Sequence, residues 1–254
     1  MSGFIEKGPI VRHELVGPAI YLMEMALPKT AALAEPGQFL HIKTPGPYQL
    51  LRRPISISGA DKERGIVEII YRVVGAGTEA MSHMKAGDVV DSLGPLGTAF
   101  SRKEGHIVGI GGGVGIAPIL FLSRRVKKGA MTAVIGGRNE KEVFWKDLFP
   151  DTLRDLVVTT DDGSFGTKGF SVSVLPGLFE KGDVTEVAAC GPAIMMKIAA
   201  KMAKDAGIYC EVSMERRMGC GTGGCLACVC DRTGGGHYKV CLDGPVFNAA
   251  EVVL

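Results

Sequence analysis

Four cysteines, Cys220-x4-Cys225-x2-Cys228 followed by Cys241, carry the most specific chemistry in the sequence. The C-x4-C-x2-C…C order is the plant-type [2Fe–2S] spacing. Four thiolates must converge on two irons from one tight loop. Gly219, Gly221, Gly223 and Gly224 let the main chain wrap and aim N–H groups at sulfur. The fourth ligand arrives from a separate turn, after Gly234-Gly235-Gly236. A zinc knuckle is the competing reading. Zinc sites usually pair C-x2-C with a second C-x2-C or with histidines, and the C-x4-C step fits them poorly. A Rieske centre needs two histidine ligands, and His237 is the only histidine nearby. Cys230 is spare. It could replace Cys228, at the less common spacing C-x4-C-x4-C. Cys190 and Cys210 read as buried apolar residues or groups behind the ligands rather than as ligands.

Three further segments have the residue types for holding a dinucleotide. Arg53-Pro54-Ile55-Ser56 sits at a strand, where arginine suits bidentate contact with a pyrophosphate. The serine hydroxyl three residues on could reach a flavin ring nitrogen. A surface arginine at a strand edge is the plainer reading of this short pattern. Gly75-Ala76-Gly77-Thr78 follows, a glycine turn opening a short helix and thus a ready anion site. Gly111-Gly112-Gly113-Val114-Gly115-Ile116-Ala117-Pro118 lies between a strand and a helix, which suits a dinucleotide phosphate. It matches G-x-G-x-x-G in no register. Gly136-Gly137-Arg138 stands where an acidic residue would end the next strand, so the standard Rossmann fingerprint is absent. Arg138 could meet a 2′-phosphate, or simply face solvent. Cys190-Gly191-Pro192 ends a strand and starts a helix, at the end of a parallel sheet where ligands sit. Thr160-Asp161-Asp162-Gly163-Ser164 is a similar strand-end loop or an ordinary turn.

The elements that must position these groups change character along the chain. Up to about residue 100, AIYLMEMAL, QFLHIK, ISISG and IVEIIYRVV are short and rich in β-branched or aromatic residues. Pro28, Pro36-Gly37, Pro45-Gly46-Pro47 and Gly75-Ala76-Gly77 separate them. A small antiparallel barrel or sandwich is expected, with one short helix around Thr78 to Lys85. From about residue 105, strands alternate with helices. HIVGI is followed by a glycine turn and a helix over IAPILFLSRRVKK with a basic last turn. Strands then follow at MTAVIGG, Leu156 to Thr160, Glu186 to Cys190 and YCEVS, with a helix over Ala193 to Ala206. This implies βαβ units and a parallel sheet. Residues beyond about 213 are too few to build much core alone, and a metal centre would supply the missing cross-links. The division expected is 1–100, a flavin-binding β-barrel; 101–212, a Rossmann-like nucleotide-binding α/β domain; and 213–254, a small cluster domain.

The 254 residues are 46% apolar and 22% charged, with net charge +2. That is an ordinary globular composition. It gives no reason to expect nucleic acid or an acidic membrane surface as partner. The amino-terminal MSGFIEKGPIVRHEL lacks the apolar segment of a secretory signal. The longest uncharged apolar run, Ile107 to Leu122, falls short of the ~20 residues of a spanning helix. It reads as a buried strand and turn leading into a helix. A cytoplasmic protein is expected, and clustered cysteines in a reducing compartment are more often metal-binding than disulfide-bonded.

RPIS, GGGVGIAP, CGP and the cysteine block, in this order, resemble the ferredoxin–NADP reductase superfamily. MERRMGCGTGGCLACVC and KVCLDGPVF resemble, more narrowly, the electron-transfer subunit of the NAD-linked two-subunit dihydroorotate dehydrogenase, over essentially the whole chain. The resemblance implies that Arg53, Pro54, Ile55 and Ser56 contact FAD, with Ser56 near its N5. It implies that Ile70, Tyr71 and Arg72 line the flavin and that Gly77 and Thr78 hold its phosphates. Gly111, Gly112, Gly113, Gly115 and Pro118, with Cys190, Gly191 and Pro192, would form the nicotinamide side. Cys220, Cys225, Cys228 and Cys241 would hold the [2Fe–2S] cluster. Members of the family use NAD; Arg138 leaves NADP open here. The implied partner carries FMN and oxidises dihydroorotate to orotate for pyrimidine (UMP) biosynthesis, in a heterotetramer with two of each subunit. Electrons would pass through the cluster and FAD to NAD+, with no acid–base residue. A flavin and iron–sulfur subunit of a transhydrogenase or sulfhydrogenase complex is the rival implied by the same three-part plan. Glu215 reads as a solvated residue, and Arg216-Arg217 takes no role.

Overall fold

In the computed structural model of the protein, residues 3–46, 50–102 and 104–254 are described; Met1, Ser2 and Pro47 of the segments read above lie outside them. The first elements are β1 (Phe4–Gly17), β2 (Ile20–Ala26), α1 (Pro28–Leu33), β3 (Phe39–Ile42), β4 (Arg53–Asp61), β5 (Ile66–Arg72), α2 (Ala76–Ser82) and β6 (Val89–Leu96). Successive strand residues point to opposite faces. Both faces are apolar in β2 and β5, so both become buried. Met23, Met25, Ile69 and Tyr71 fill one core, while Ile20, Leu22 and Ile70 face a second core shared with the α/β part. The strands close into an antiparallel barrel in the order β1-β2-β5-β4-β3-β6. Closure leaves no unpaired strand edge.

Besides β6, two elements here escape a search for apolar runs. β1 carries Glu6, Lys7, Arg12 and Glu14 among its apolar residues and buries only Gly8 and Ile10 fully. Pro28 opens a helix rather than a turn, because proline is tolerated in a first turn. The Glu6 carboxylate accepts the N–H groups of Lys29 at 3.0 Å and Thr30 at 2.8 Å, which fixes that helix across the barrel end. The helix expected at Thr78 to Lys85 runs instead over α2.

The second part comprises β7 (His106–Gly112), α3 (Ile116–Ser123), β8 (Met131–Gly137), β9 (Asp155–Thr160), β10 (Thr167–Lys168), α4 (Leu175–Phe179), β11 (Val184–Cys190), α5 (Ala193–Asp205) and β12 (Tyr209–Ser213). The strands from β7 to β12 are parallel to their neighbours, in the order β10-β9-β8-β7-β11-β12. All eight residues of α3 are buried, as expected for a helix apolar all round. It ends at Ser123, so the basic residues expected in its last turn lie beyond it. They clamp the barrel instead. The Arg124 guanidinium donates to Glu68 at 2.9 Å and to the Ser58 carbonyl at 3.3 Å, and Arg125 donates to the Ala60 carbonyl at 3.1 Å.

The cysteine-rich segment carries β13 (Val229–Asp231), β14 (His237–Lys239) and β15 (Val246–Asn248). β13 and β14 form a hairpin, and β15 adds antiparallel to β12, with Val212 opposite Phe247. Cys228, Cys230, Val240, Cys241 and Phe247 share one core with Phe39 and Leu96 of the barrel and Val212 of the sheet. Thr98 joins it to the barrel. Its N–H donates to the Gly244 carbonyl at 2.7 Å, and its hydroxyl donates to the Val246 carbonyl at 2.9 Å. The short segment thus joins one core shared with barrel and sheet instead of building its own. No helix among the described residues is long and apolar enough to cross a membrane.

Phe247 is 5% exposed, and its ring centroid stands 5.1 Å from that of Tyr238. Phe247→Ala is expected to cost about 3–5 kcal/mol, the usual range for a buried aromatic. A fall in the thermal midpoint of the carboxy-terminal part checks this; an unchanged midpoint contradicts the shared core.

Candidate flavin, nicotinamide and cluster sites

Arg53 opens β4, and its guanidinium lies on Gly77 at the start of α2. A Cβ at Gly77 would stand 2.3 Å from Nε and 2.6 Å from Cζ. The absence of a side chain there is what lets the two motifs meet. The Thr78 hydroxyl accepts the Val74 N–H at 2.9 Å and donates to the Gly75 carbonyl at 3.0 Å. It closes the turn, which leaves the first-turn N–H groups facing outward. Ile70 faces the core shared with the α/β part. The Tyr71 ring points into the barrel, stacked on Tyr21, with its hydroxyl 2.9 Å from His13 Nε2. Burial raises the phenol pKa, so it stays protonated. Tyr71 can therefore offer a flavin only its main chain. Arg72 Nε is buried without a hydrogen-bond partner among the described residues. An unpartnered guanidinium N–H on β5, the strand paired with β4, fits an anionic ligand such as a dinucleotide.

The two glycine motifs of the α/β part form one surface. β7 and β11 are adjacent, with Gly111 opposite Cys190 at their carboxyl ends. A Cβ at Gly115 would lie 2.5 Å from the Cys190 carbonyl oxygen and 2.6 Å from Gly191 Cα. Gly191, at φ +148°, has Gly112 N and O 2.9 Å from where its Cβ would be. Pro192 Cδ comes within 3.0 Å of the same position on Gly112. Pro118 lies in the first turn of α3 and is buried. Cys190 is buried too, and its thiol is pushed up to about 12 by desolvation, which Ser213 partly offsets. Cys210 is likewise pushed up to about 12 by burial.

At the end of β8, Arg138 pairs with Glu142, whose Oε2 also accepts the Arg138 N–H at 3.0 Å. Glu142 thus places a carboxylate at a strand end where the linear sequence offers none. Residues 160 to 164 form a local turn: Asp162 Oδ1 accepts the Ser164 N–H at 2.9 Å and its hydroxyl at 2.6 Å.

In the cysteine loop each of the four sulfurs meets at least one main-chain N–H. Cys220 N–H points to Cys225 Sγ at 3.4 Å, and Thr222 N–H to Cys220 Sγ at 3.4 Å. Gly223 N–H points to Cys241 Sγ at 3.2 Å, and Cys241 N–H to Cys228 Sγ at 3.5 Å. Gly221 at φ +72° and Gly223 at φ +82° make these directions possible. The N–H of Thr222, then that of Cys225, lowers the Cys220 thiol to about 6, while burial pushes Cys241 up to about 12. Among the described residues no three His, Cys, Asp or Glu side chains gather round a single point. A [2Fe–2S] cluster takes its four thiolates as two pairs, one pair on each iron, and four sulfurs already met by N–H donors fit it. Cys230 lies on β13 opposite Tyr238 and is buried in the shared core. Linear reading missed His41, whose buried ring abuts Gly221. It passes in the sequence as one polar residue within an apolar strand. Burial lowers its pKa, so the imidazole is neutral.

A flavin-type barrel locked to a parallel nucleotide-binding sheet, with a four-cysteine loop at their junction, defines a flavin- and nicotinamide-dependent reductase bearing an iron–sulfur domain. Residues 7–100 match the oxidoreductase FAD-binding domain, and residues 215–253 match the iron–sulfur cluster binding domain of dihydroorotate dehydrogenase B. The dihydroorotate dehydrogenase B (NAD(+)) electron transfer subunit of Desulforamulus reducens is 38% identical over 94% of this chain and 94% of its own length. That of Bacillus cereus strain B4264 is 39% identical over 96% and 97%. The chain belongs to this family of electron transfer subunits and is an NAD-linked oxidoreductase subunit. Among solved structures, an NADH-dependent reduced ferredoxin–NADP oxidoreductase chain superposes with a TM-score of 0.84 at 30% identity, covering 97% of this chain and 89% of that one. The ferredoxin reductase of carbazole 1,9a-dioxygenase shares the fold, with a TM-score of 0.67 at 23% identity over 80% of this chain and 67% of its own.

Burial leaves Cys190 and Cys210 almost without thiolate at neutral pH. Iodoacetamide at pH 8 is expected to modify both at least about a hundredfold more slowly than a free cysteine, since only the thiolate reacts. Peptide mapping before and after unfolding checks this; rapid labelling of either in the native protein contradicts it.

Proposed function

We propose that this chain takes electrons from an FMN-containing dihydroorotate dehydrogenase catalytic subunit and delivers them to NAD+, in a heterotetramer of two of each subunit serving pyrimidine biosynthesis. The observation that carries the reading is the cysteine loop, with a main-chain N–H on each sulfur, joined to both the barrel and the sheet. The relatives' shared designation as dihydroorotate dehydrogenase B (NAD(+)) electron transfer subunits supports the choice of partner. When bound, the cluster supplies one-electron transfer, and FAD couples single electrons to the two-electron exchange with nicotinamide.

The chain's own residues bind and orient. Arg53, on Gly77, would hold the pyrophosphate of FAD, and Gly77 and Thr78 would supply first-turn N–H groups to it. Arg72 adds a second cation. Pro54, Ile55 and Ser56 would present a strand to the flavin, with the Ser56 hydroxyl available to a ring nitrogen, while Ile70 and Tyr71 would line it, Tyr71 through its main chain. Gly111, Gly112, Gly113 and Gly115, with Pro118, take the nicotinamide dinucleotide together with Cys190, Gly191 and Pro192, at the carboxyl ends of two adjacent parallel strands. Cys220, Cys225, Cys228 and Cys241 hold the cluster. The division of labour follows 1–100, 101–212 and 213–254. NAD is favoured over NADP because Glu142 engages Arg138 and sets a carboxylate where a 2′-phosphate would need a free cation. No acid–base residue is required. A reducing cytoplasm is the compartment in which four thiolate ligands survive.

The likeness to a reduced ferredoxin–NADP oxidoreductase chain favours one second reading, a flavin and iron–sulfur subunit of another NAD(P)H-linked complex of transhydrogenase or sulfhydrogenase type. Anaerobic co-purification with the native partner separates the two. Dihydroorotate-dependent reduction of NAD+ is expected, and its absence in an iron- and flavin-replete complex contradicts the first reading. Cys225→Ser is expected to abolish the reduced-cluster EPR signal and that reaction, while NADH-to-dye turnover, which needs only flavin, persists. Gly77→Ala forces Arg53 aside and is expected to weaken FAD binding about tenfold, ~1.4 kcal/mol. Flavin fluorescence on dilution measures it.

A further inference from the structure

His41 lies on β3 directly opposite Pro54 of β4, with Ile42 opposite Arg53 and Phe39 opposite Ser56. It is the cross-strand neighbour of the segment proposed to carry the flavin. Its main chain is pinned: Arg52 Nη1 donates to the His41 carbonyl at 3.2 Å and to the Asp91 carbonyl at 2.9 Å, and Nη2 reaches the Asp91 carboxylate at 2.6 Å. Its ring is wholly buried, and among the described residues neither Nδ1 nor Nε2 makes a hydrogen bond of normal geometry. The main chains of Arg52 and Cys220 face it. On the loop side the ring rests on Gly221, where a Cβ would stand 2.5 Å from Nδ1. Gly221 sits between Cys220 and Thr222, and the Thr222 N–H is the donor to Cys220 Sγ.

A buried polar ring without a partner is costly, and an apolar ring of that size would fill the same space without the cost. One imidazole therefore touches both the flavin-bearing strand and the loop that aims an N–H at the first cluster thiolate. Hydrogen bonding at the sulfurs is among the factors that set a cluster's reduction potential. We propose that His41 is a positioning residue that fixes the Cys220–Thr222 turn against the flavin strand, its ring N–H directed at the Cys220 main chain, and thereby holds the Thr222 N–H on Cys220 Sγ and tunes the cluster. This rests on the reading that the four cysteines bind a [2Fe–2S] cluster.

The test uses the full chain purified anaerobically, with iron content, EPR of the reduced protein and a redox titration as readouts. Wild type without iron would refute the cluster reading itself, independently of His41. With the cluster present, His41→Phe is expected to keep its iron but to shift the EPR g-values. Its midpoint is expected to move to more negative potential, so that at fixed ambient potential the ratio of reduced to oxidised cluster falls about tenfold, 59 mV for one electron. His41→Gln, which retains an N–H donor, is expected to return most of that shift. A Phe variant with wild-type g-values and midpoint overturns the proposal. So does a Gln variant as displaced as Phe, because volume alone would then explain the effect. If His41→Phe binds no iron, His41→Leu decides: it is closer to histidine in volume, likewise has no ring N–H, and leaves the loop backbone unchanged. An altered spectrum and midpoint support the proposal, and unchanged values overturn it.

Discussion

The α3 helix has no residue exposed to water, and that burial holds the molecule in register. Ile116, Ile119, Leu120 and Leu122 pack in the core between barrel and sheet, while Phe121 reaches into the barrel's own core. A short apolar helix is unstable alone and forms only when both sides are covered. The barrel covers one side and the parallel sheet the other, so neither can swing without exposing it. The glycine loop 111–115 enters this helix, and Arg124 and Arg125 just past its end hold β4. One wedge thus sets the distance between the strand that begins with Arg53 and the loop beside Cys190.

Glycine serves this protein by allowing contact where a side chain would forbid it. Gly77 admits a guanidinium, Gly115 admits the Cys190 main chain, and Gly221 admits the His41 ring. Each brings together segments far apart in sequence. The cysteine loop solves a related problem. Its four sulfurs come from two stretches separated by a hairpin, and β15 together with Thr98 fixes the second stretch before any metal is considered. The segment needs few apolar residues of its own because Phe39, Leu96 and Val212 supply the rest of its core.

Local chemistry was legible in the sequence; cooperation between distant segments was not. The cysteine spacing picked out the four sulfurs, and short segments rich in β-branched or aromatic residues marked β2, β3, β4 and β5. Alternating strands and helices marked the parallel sheet. β1 was hidden because Glu6-Lys7, Gly8-Pro9 and Arg12 to Glu14 break up its apolar residues. β6 was hidden because Gly94-Pro95 reads as a turn. Tyr71 belongs to the right strand, but the period of two turns its ring into the barrel. Glu142 lies five residues past Gly137 and returns to the strand end through a short helical turn that no spacing rule describes. His41 carries no motif at all, and only folding brings it against Gly221.

The last strand, β15, lies along β12 and completes the sheet on that side. Its attachment depends on a tail that the cysteine loop also ties down. Were oxidation to strip that loop, fraying of the tail would bare the β12 backbone beside Cys210 and Val212. An open row of amides and carbonyls on an apolar strand is a template for another chain. Damage to an oxygen-sensitive centre would then reach beyond lost electron flow, into insolubility.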